Sequence, residues 1–244
     1  MEIENLLTIE NWASNPHLTM EKLLGSRKKS EDAILLAELM KQIVQYSEKT
    51  WNRTINQYDV INLESEIESR SGMVSILDVG CGDGNVLAEL KGKYLDKINC
   101  YGISVMNHPH SDKINYHICP AEVLPESWDN KFDIVVTHQA FRYMLFPEKA
   151  LRECIRVTRS GGIFAGYIGT IENEDRVMYN QSIGKEVDDI KINIHDKYNN
   201  TFDDILRDIP YNFQAKVWLR GEYNYPHAIK LKKDIAIKEI QFTH

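Results

Sequence analysis

No uninterrupted apolar run in the 244-residue chain approaches the roughly 18 residues that a membrane-spanning helix needs, so no membrane partner is expected. Positive charge is also in the minority. Lysine and arginine number 29 against 36 aspartates and glutamates, a formal net charge of −7. Such a chain lacks the positive field that binding to phosphate backbones draws on, which speaks against a nucleic-acid partner. Cysteine is scarce, with Cys81, Cys100, Cys119 and Cys154 irregularly spaced in apolar surroundings, unlike the dense frameworks of secreted mini-domains. Four reduced thiols are expected. The opening Met-Glu-Ile-Glu has no basic start of a secretory signal, which points to the cytoplasm. Repeats, low-complexity tracts and proline-rich linkers are missing as well. What remains is a chain with 43% hydrophobic residues, enough for a sizeable buried core.

The pattern changes character near Ser71-Gly72, the one candidate boundary, which divides the chain into residues 1–70 and 71–244. Before it, residues 30–51 read as a helix, with Ile34, Leu35, Leu39, Ile43 and Val44 as an apolar stripe, preceded by a short helix at 19–24. Trp51, Tyr46 and Tyr58 are either packing or the wall of a pocket. After it, strand-like runs at 74–79, 98–105, 114–118, 132–137 and 162–168 alternate with helix-like segments at 85–95 and 147–159, the latter closed by Ser160-Gly161. That alternation predicts an α/β fold, a doubly wound, mostly parallel sheet. Residues 171–200 are polar and long for a connection, which suggests a substrate-covering insertion. Thr201-Phe202-Asp203-Asp204 is close to a capping box, and runs at 213–219 and 235–242 suggest an antiparallel terminal hairpin on the sheet edge. Tyr223, Tyr225 and His227 between them are weaker site candidates, a cluster that a surface turn explains adequately.

Glycine too is sparse at 13 residues, yet three stand at alternate positions in Asp78-Val79-Gly80-Cys81-Gly82-Asp83-Gly84-Asn85. A glycine-rich turn from a first strand into a first helix lets a ligand approach the backbone closely and aims helix N-terminal amides at it. The dinucleotide fingerprint fails, because its third glycine would stand at Asn85, and no Gly-Lys-Ser/Thr of a phosphate loop follows.

Asp78, Gly80, Gly82 and Gly84 together match the acid-x-Gly-x-Gly-x-Gly of class I S-adenosylmethionine-dependent methyltransferases, and the chain resembles that Rossmann-like family across residues 71–170. Cys119-Pro120-Ala121-Glu122-Val123-Leu124-Pro125 is similar to the family's adenine-side segment, and Phe132-Asp133-Ile134-Val135-Val136-Thr137-His138 to its fourth strand. Residues 150–154 and 160–164 resemble the helix and fifth strand that follow. The resemblance implies a seven-stranded sheet with its terminal hairpin, S-adenosyl-L-methionine as cofactor, and methyl transfer as the activity. It assigns cofactor binding to Asp78, Gly80, Cys81, Gly82, Gly84, Ser104, Ala121, Glu122 and Thr137, with Cys81 otherwise read as packing. One departure is that Ser104 stands where the family carries an acid for both ribose hydroxyls, and a neutral hydroxyl makes weaker bonds.

His138 falls at the carboxyl end of a parallel strand, where α/β sheets hold reacting groups, and is the candidate general base, the alternative being a histidine hydrogen-bonded into the loop. Arg142, Tyr143 and Tyr167 are candidate substrate-binding residues. His108-x-His110 and His117-x-Cys119 invite a metal reading, but no matching ligand pair stands elsewhere, and no metal is expected. The Asn/Asp-Pro-Pro-aromatic segment of adenine- and glutamine-methylating relatives is absent after the fourth strand. With the charge, this favours a small-molecule acceptor, methylated on oxygen or nitrogen. A protein or peptide acceptor, with the N-terminal helices as docking face or lid, and a cofactor-binding protein without methyl transfer are the alternatives. Oligomeric state is not readable.

Overall fold

The first strand, β1 (Val74–Val79), is apolar on both sides because both of its faces are covered, and it forms the centre of the sheet. In this computed structural model the described residues are 54–105, 112–141, 144, 147–168, 206–220, 225–233 and 238–243. A short helix, α1 (Leu63–Glu68), precedes β1; the Asn62 side chain caps it by accepting from the Ser65 amide at 2.9 Å. Then come α2 (Asn85–Tyr94), β2 (Ile98–Ser104), β3 (Asn115–Ile118), β4 (Phe132–Thr137), α3 (Pro147–Val157) and β5 (Thr158–Tyr167). The chain closes with β6 (Phe213–Arg220), β7 (Tyr225–Lys233) and β8 (Glu239–Thr243).

The eight strands run in the order β3-β2-β1-β4-β5-β7-β6-β8. Strands β1 to β5 pair in parallel, β7 is antiparallel to both β5 and β6, and β8 joins β6 in parallel. The doubly wound, mostly parallel α/β sheet is therefore present, with eight strands where seven were expected. The winding reverses between β1 and β4, and doubly wound sheets hold their ligands at such a switch point, beyond the carboxyl ends of the strands.

Two apolar clusters cover the two faces. Leu63 and Ile67 of α1 and Val86, Leu87 and Leu90 of α2 pack with Val74, Ile76, Ile134 and Val136 on one side. Ala150, Leu151, Cys154 and Ile155 of α3 pack with Leu77, Val79, Val135 and Phe164 on the other. All four cysteines are buried and outside any disulfide, and burial pushes the thiols of Cys100 and Cys119 up to about 12.

Two boundaries differ from the sequence reading. Helix α3 ends at Val157, and Ser160-Gly161 lies inside β5, with a register shift between Phe132 and Ile134 absorbing the irregular start of that strand. The expected surface turn at 225–227 is instead the beginning of β7, which pairs on both sides and so forms the hairpin with β6; the run at 235–242 supplies β8 outside it. Lys230, Lys232 and Lys233 disguise β7 as polar. Lys233 is in fact buried, its ammonium donating to the Ile155, Arg156 and Thr158 carbonyls at 3.1, 3.2 and 2.8 Å and capping the end of α3. The helices expected at 19–24 and 30–51, the insertion at 171–200 and the capping box at 201–204 lie outside the described residues.

Candidate functional site

Three local features build the crevice. Strand β1 ends at Asp78 and Val79, and the turn behind it is fastened to the neighbouring strand: the Gly80 and Cys81 amides both donate to the Ile103 carbonyl, at 3.0 and 2.9 Å. Gly80, Gly82 and Gly84 have φ of 78°, 60° and 72°, the left-handed region that side chains with a Cβ rarely adopt. At Gly82 nothing lies within 4 Å of where a Cβ would stand, so the missing side chain leaves open space at the loop tip. Tyr116 of β3 steadies that tip, its hydroxyl donating to the Gly82 carbonyl at 2.8 Å. Asp83 accepts from the Asn85 amide at 3.1 Å at the start of α2. Cys81 is buried, its sulfur occupying the space that Gly102 leaves by having no Cβ.

The second feature is the row of strand ends. Asp78 is buried, and the Tyr58 hydroxyl donates to its Oδ2 at 2.5 Å. Thr137, at the end of β4, is fully buried, and its hydroxyl donates to the Val79 carbonyl at 3.0 Å. Ser104 ends β2 and is buried, its carbonyl accepting from the Cys119 amide at 3.0 Å. Ala121 and Glu122, both buried, follow in the turn after β3.

Aromatic rings make the third. His138 directly follows β4 and stands between Tyr58 and Tyr167, with ring centroids 5.6 and 5.5 Å away. The Tyr167 ring, at the end of β5, is in turn 5.0 Å from that of His227 on β7. The structure thus brings Asp78, the glycine loop, Thr137, His138 and Tyr167 to one end of the sheet. Arg142 and Tyr143 lie outside the described residues. Sequence reasoning missed Asp59 and Tyr116; His227 was a weaker site candidate set beside a surface turn, and Tyr58 was left open between packing and a pocket wall, without its bond to Asp78. No periodicity signals Asp59 or Tyr116, since each acts through a contact made only in the folded chain.

His117 belongs elsewhere. Its ring packs edge-on against Trp128, centroids 4.8 Å apart, and beside Tyr101 at 6.3 Å. Burial, with the Lys131 charge in support, holds its imidazole below the ordinary histidine range, hence neutral near pH 7. Among the described residues no group of three His, Cys, Asp or Glu side chains has metal-holding geometry. His108 and His110 lie outside them.

Residues 77–166 match the methyltransferase domain family. Among solved structures, the chain is similar to the CurJ carbon methyltransferase, with 12% identity and a TM-score of 0.53, over 96% of this chain and 70% of that one. It is also similar to an S-adenosyl-L-methionine-dependent methyltransferase of Methanococcus maripaludis, with 20% identity and a TM-score of 0.48, over 80% and 93% of the two chains. The plantazolicin methyltransferase BpumL, solved with a desmethylplantazolicin analogue and S-adenosylhomocysteine, matches at 15% identity and a TM-score of 0.47, over 95% and 98%. The chain thus shares the fold of the CurJ carbon methyltransferase.

Proposed function

We propose that this chain is a class I S-adenosylmethionine-dependent methyltransferase that transfers the methyl group to an oxygen or nitrogen of a small-molecule acceptor, with His138 as general base. The observation that carries the reading is the position of His138, held between two tyrosine rings at the carboxyl end of β4, one strand away from the glycine loop. The residues fit the cofactor: a Cβ at Gly82 would stand in the open space the loop surrounds, and the left-handed backbone there excludes a side chain.

S-adenosylmethionine supplies a methyl group already activated by its sulfonium. The protein's part is to hold, orient and exclude water. In this reading Asp78 and the loop Gly80, Cys81, Gly82 and Gly84 hold the cofactor's amino-acid end and nucleoside, with Ser104 at the ribose and Ala121 and Glu122 along the adenine. Thr137 fixes the crevice floor, since its hydroxyl is engaged with Val79. His138 takes the proton of an acceptor hydroxyl or amine on an imidazole nitrogen, the role histidine most often serves in general acid–base catalysis. Tyr167, at the end of β5, lines the acceptor side, and Arg142 and Tyr143 are proposed from the sequence as further substrate-binding residues.

Residues 1–70 serve as a lid, a reading supported by Tyr58, whose hydroxyl reaches Asp78 from that segment. The net charge of −7 supports a metabolite over a nucleic acid, and the four buried thiols, outside any disulfide, suit a reducing cytoplasm.

The test begins with a screen of metabolite fractions against radiolabelled methyl donor. With an acceptor in hand, His138→Ala should cut turnover about a hundred- to ten-thousand-fold and leave cofactor affinity nearly unchanged. Near-normal turnover at saturating substrate across pH would remove His138 from the chemistry. Labelled protein or peptide in place of a metabolite would overturn the acceptor class.

A further inference from the structure

Tyr58 and Asp59 are adjacent in sequence but reach opposite sides of His138. Tyr58 donates to Asp78 on β1 at 2.5 Å. One residue on, Asp59 Oδ1 accepts from the Tyr167 hydroxyl on β5, also at 2.5 Å. Strand β4 runs between β1 and β5, so the dipeptide straddles the strand that carries His138. The two rings tied in this way are the two that flank the imidazole. We infer that Tyr58 and Asp59 are positioning residues: a two-point brace that fixes the orientation of His138 by anchoring the ring on each side of it.

The physical argument is one of degrees of freedom. A histidine just past a strand end has two side-chain torsions to settle, and the chain here is unusual, since the next residue, Gln139, adopts φ 61°. Packing against one ring leaves the imidazole free to rotate about the contact, whereas packing between two anchored rings does not. Tyr167 is further held from behind by the His227 ring at 5.0 Å, while the Ile168 amide donates to the His227 carbonyl at 3.0 Å. The Tyr167 bond to Asp59 is short because its acceptor is a carboxylate, and a charge-assisted hydroxyl bond of this length is directional. Asp59 is exposed, so its interest lies in orientation rather than in a contribution to the core. The brace also joins the acid that precedes the glycine loop to the acceptor side through consecutive residues.

This inference rests on the proposed role of His138, yet its test needs no turnover. In the full-length protein with isotope-labelled histidine, the His138 imidazole signal is identified by its loss in His138→Gln. Asp59→Asn, nearly isosteric at an exposed site, should leave the melting temperature within a few degrees and shift and broaden that signal. Tyr167→Phe, which removes the bond outright, should do the same more strongly, and adding Asp59→Asn to it should change nothing further, because the carboxylate has then already lost its donor. Tyr58→Phe should move the signal independently. Once an acceptor is known, Asp59→Asn should lower kcat about ten- to a hundredfold with S-adenosylhomocysteine affinity within about twofold, as misplacement of a reacting group does. A His138 signal unmoved in Asp59→Asn and Tyr167→Phe would overturn the brace. Normal turnover in His138→Ala, with the signal still responding in the other variants, would instead retire the base and leave the brace standing.

Discussion

The hydroxyl of Thr137 donates to the carbonyl of Val79 at 3.0 Å, joining the ends of two neighbouring strands whose residues lie 58 positions apart. The bond sits at the bottom of the crevice, between the glycine loop and His138, and fixes how far apart those two can stand.

Removing it should cost stability before it costs chemistry. Thr137→Val keeps the shape of the side chain and deletes the donor, which for a buried pair costs about 1–3 kcal/mol. Urea unfolding should show a lower midpoint with an unchanged slope, and Thr137→Ser should recover part of the loss. A midpoint equal to that of the parent protein would mean that the hydroxyl is idle.

At the loop, Gly82→Val should abolish binding of S-adenosylmethionine and S-adenosylhomocysteine, because the new side chain enters open space at φ 60°. Circular dichroism should remain that of the folded protein. Calorimetry showing equal heats of binding in the variant would refute the cradle.

Ser104, proposed above to lie at the ribose, is buried at the end of β2. Ser104→Asp should tighten cofactor binding, since a carboxylate accepts from both ribose hydroxyls with charge-assisted bonds. A weaker complex would place another group at the ribose.

Alkaline pH should expose the buried thiols. In the fold, Cys100 and Cys119 are raised to about 12 by burial, with Cys154 raised as well, against an ordinary value of 9.0. Above pH 9 the unfolded chain has given up these protons and the folded chain has not. Stability that is complete below pH 9 is therefore lost progressively toward pH 12. Melting temperatures should decline through this window, and the decline should be shallower in Cys119→Ala than in the parent protein. Parallel declines would assign the loss to other groups.

Much of the architecture was legible because the central strands are covered on both faces and so read as continuous apolar runs, as in Val74 to Val79. The glycine loop was legible because its spacing is imposed by the backbone. Strand β7 was hidden, since Lys230, Lys232 and Lys233 make it look solvated, although the Lys233 stem is buried and only its ammonium finds polar partners, in carbonyls at the end of α3. Asp59 and Tyr116 could not be found for a different reason: their importance lies in partners 108 and 34 residues distant, which no local pattern encodes.

The reversal of winding between β1 and β4 has a consequence for how the protein acquires its ligand. Strands β1, β2 and β3 carry the glycine loop, Ser104 and the turn with Ala121 and Glu122, while β4 and β5 carry His138 and Tyr167. Apart from Thr137, the residues assigned to the cofactor and those assigned to the acceptor thus belong to different halves of the sheet. Affinity for S-adenosylhomocysteine is therefore a reporter of the first half, and turnover a reporter of the joining of the two.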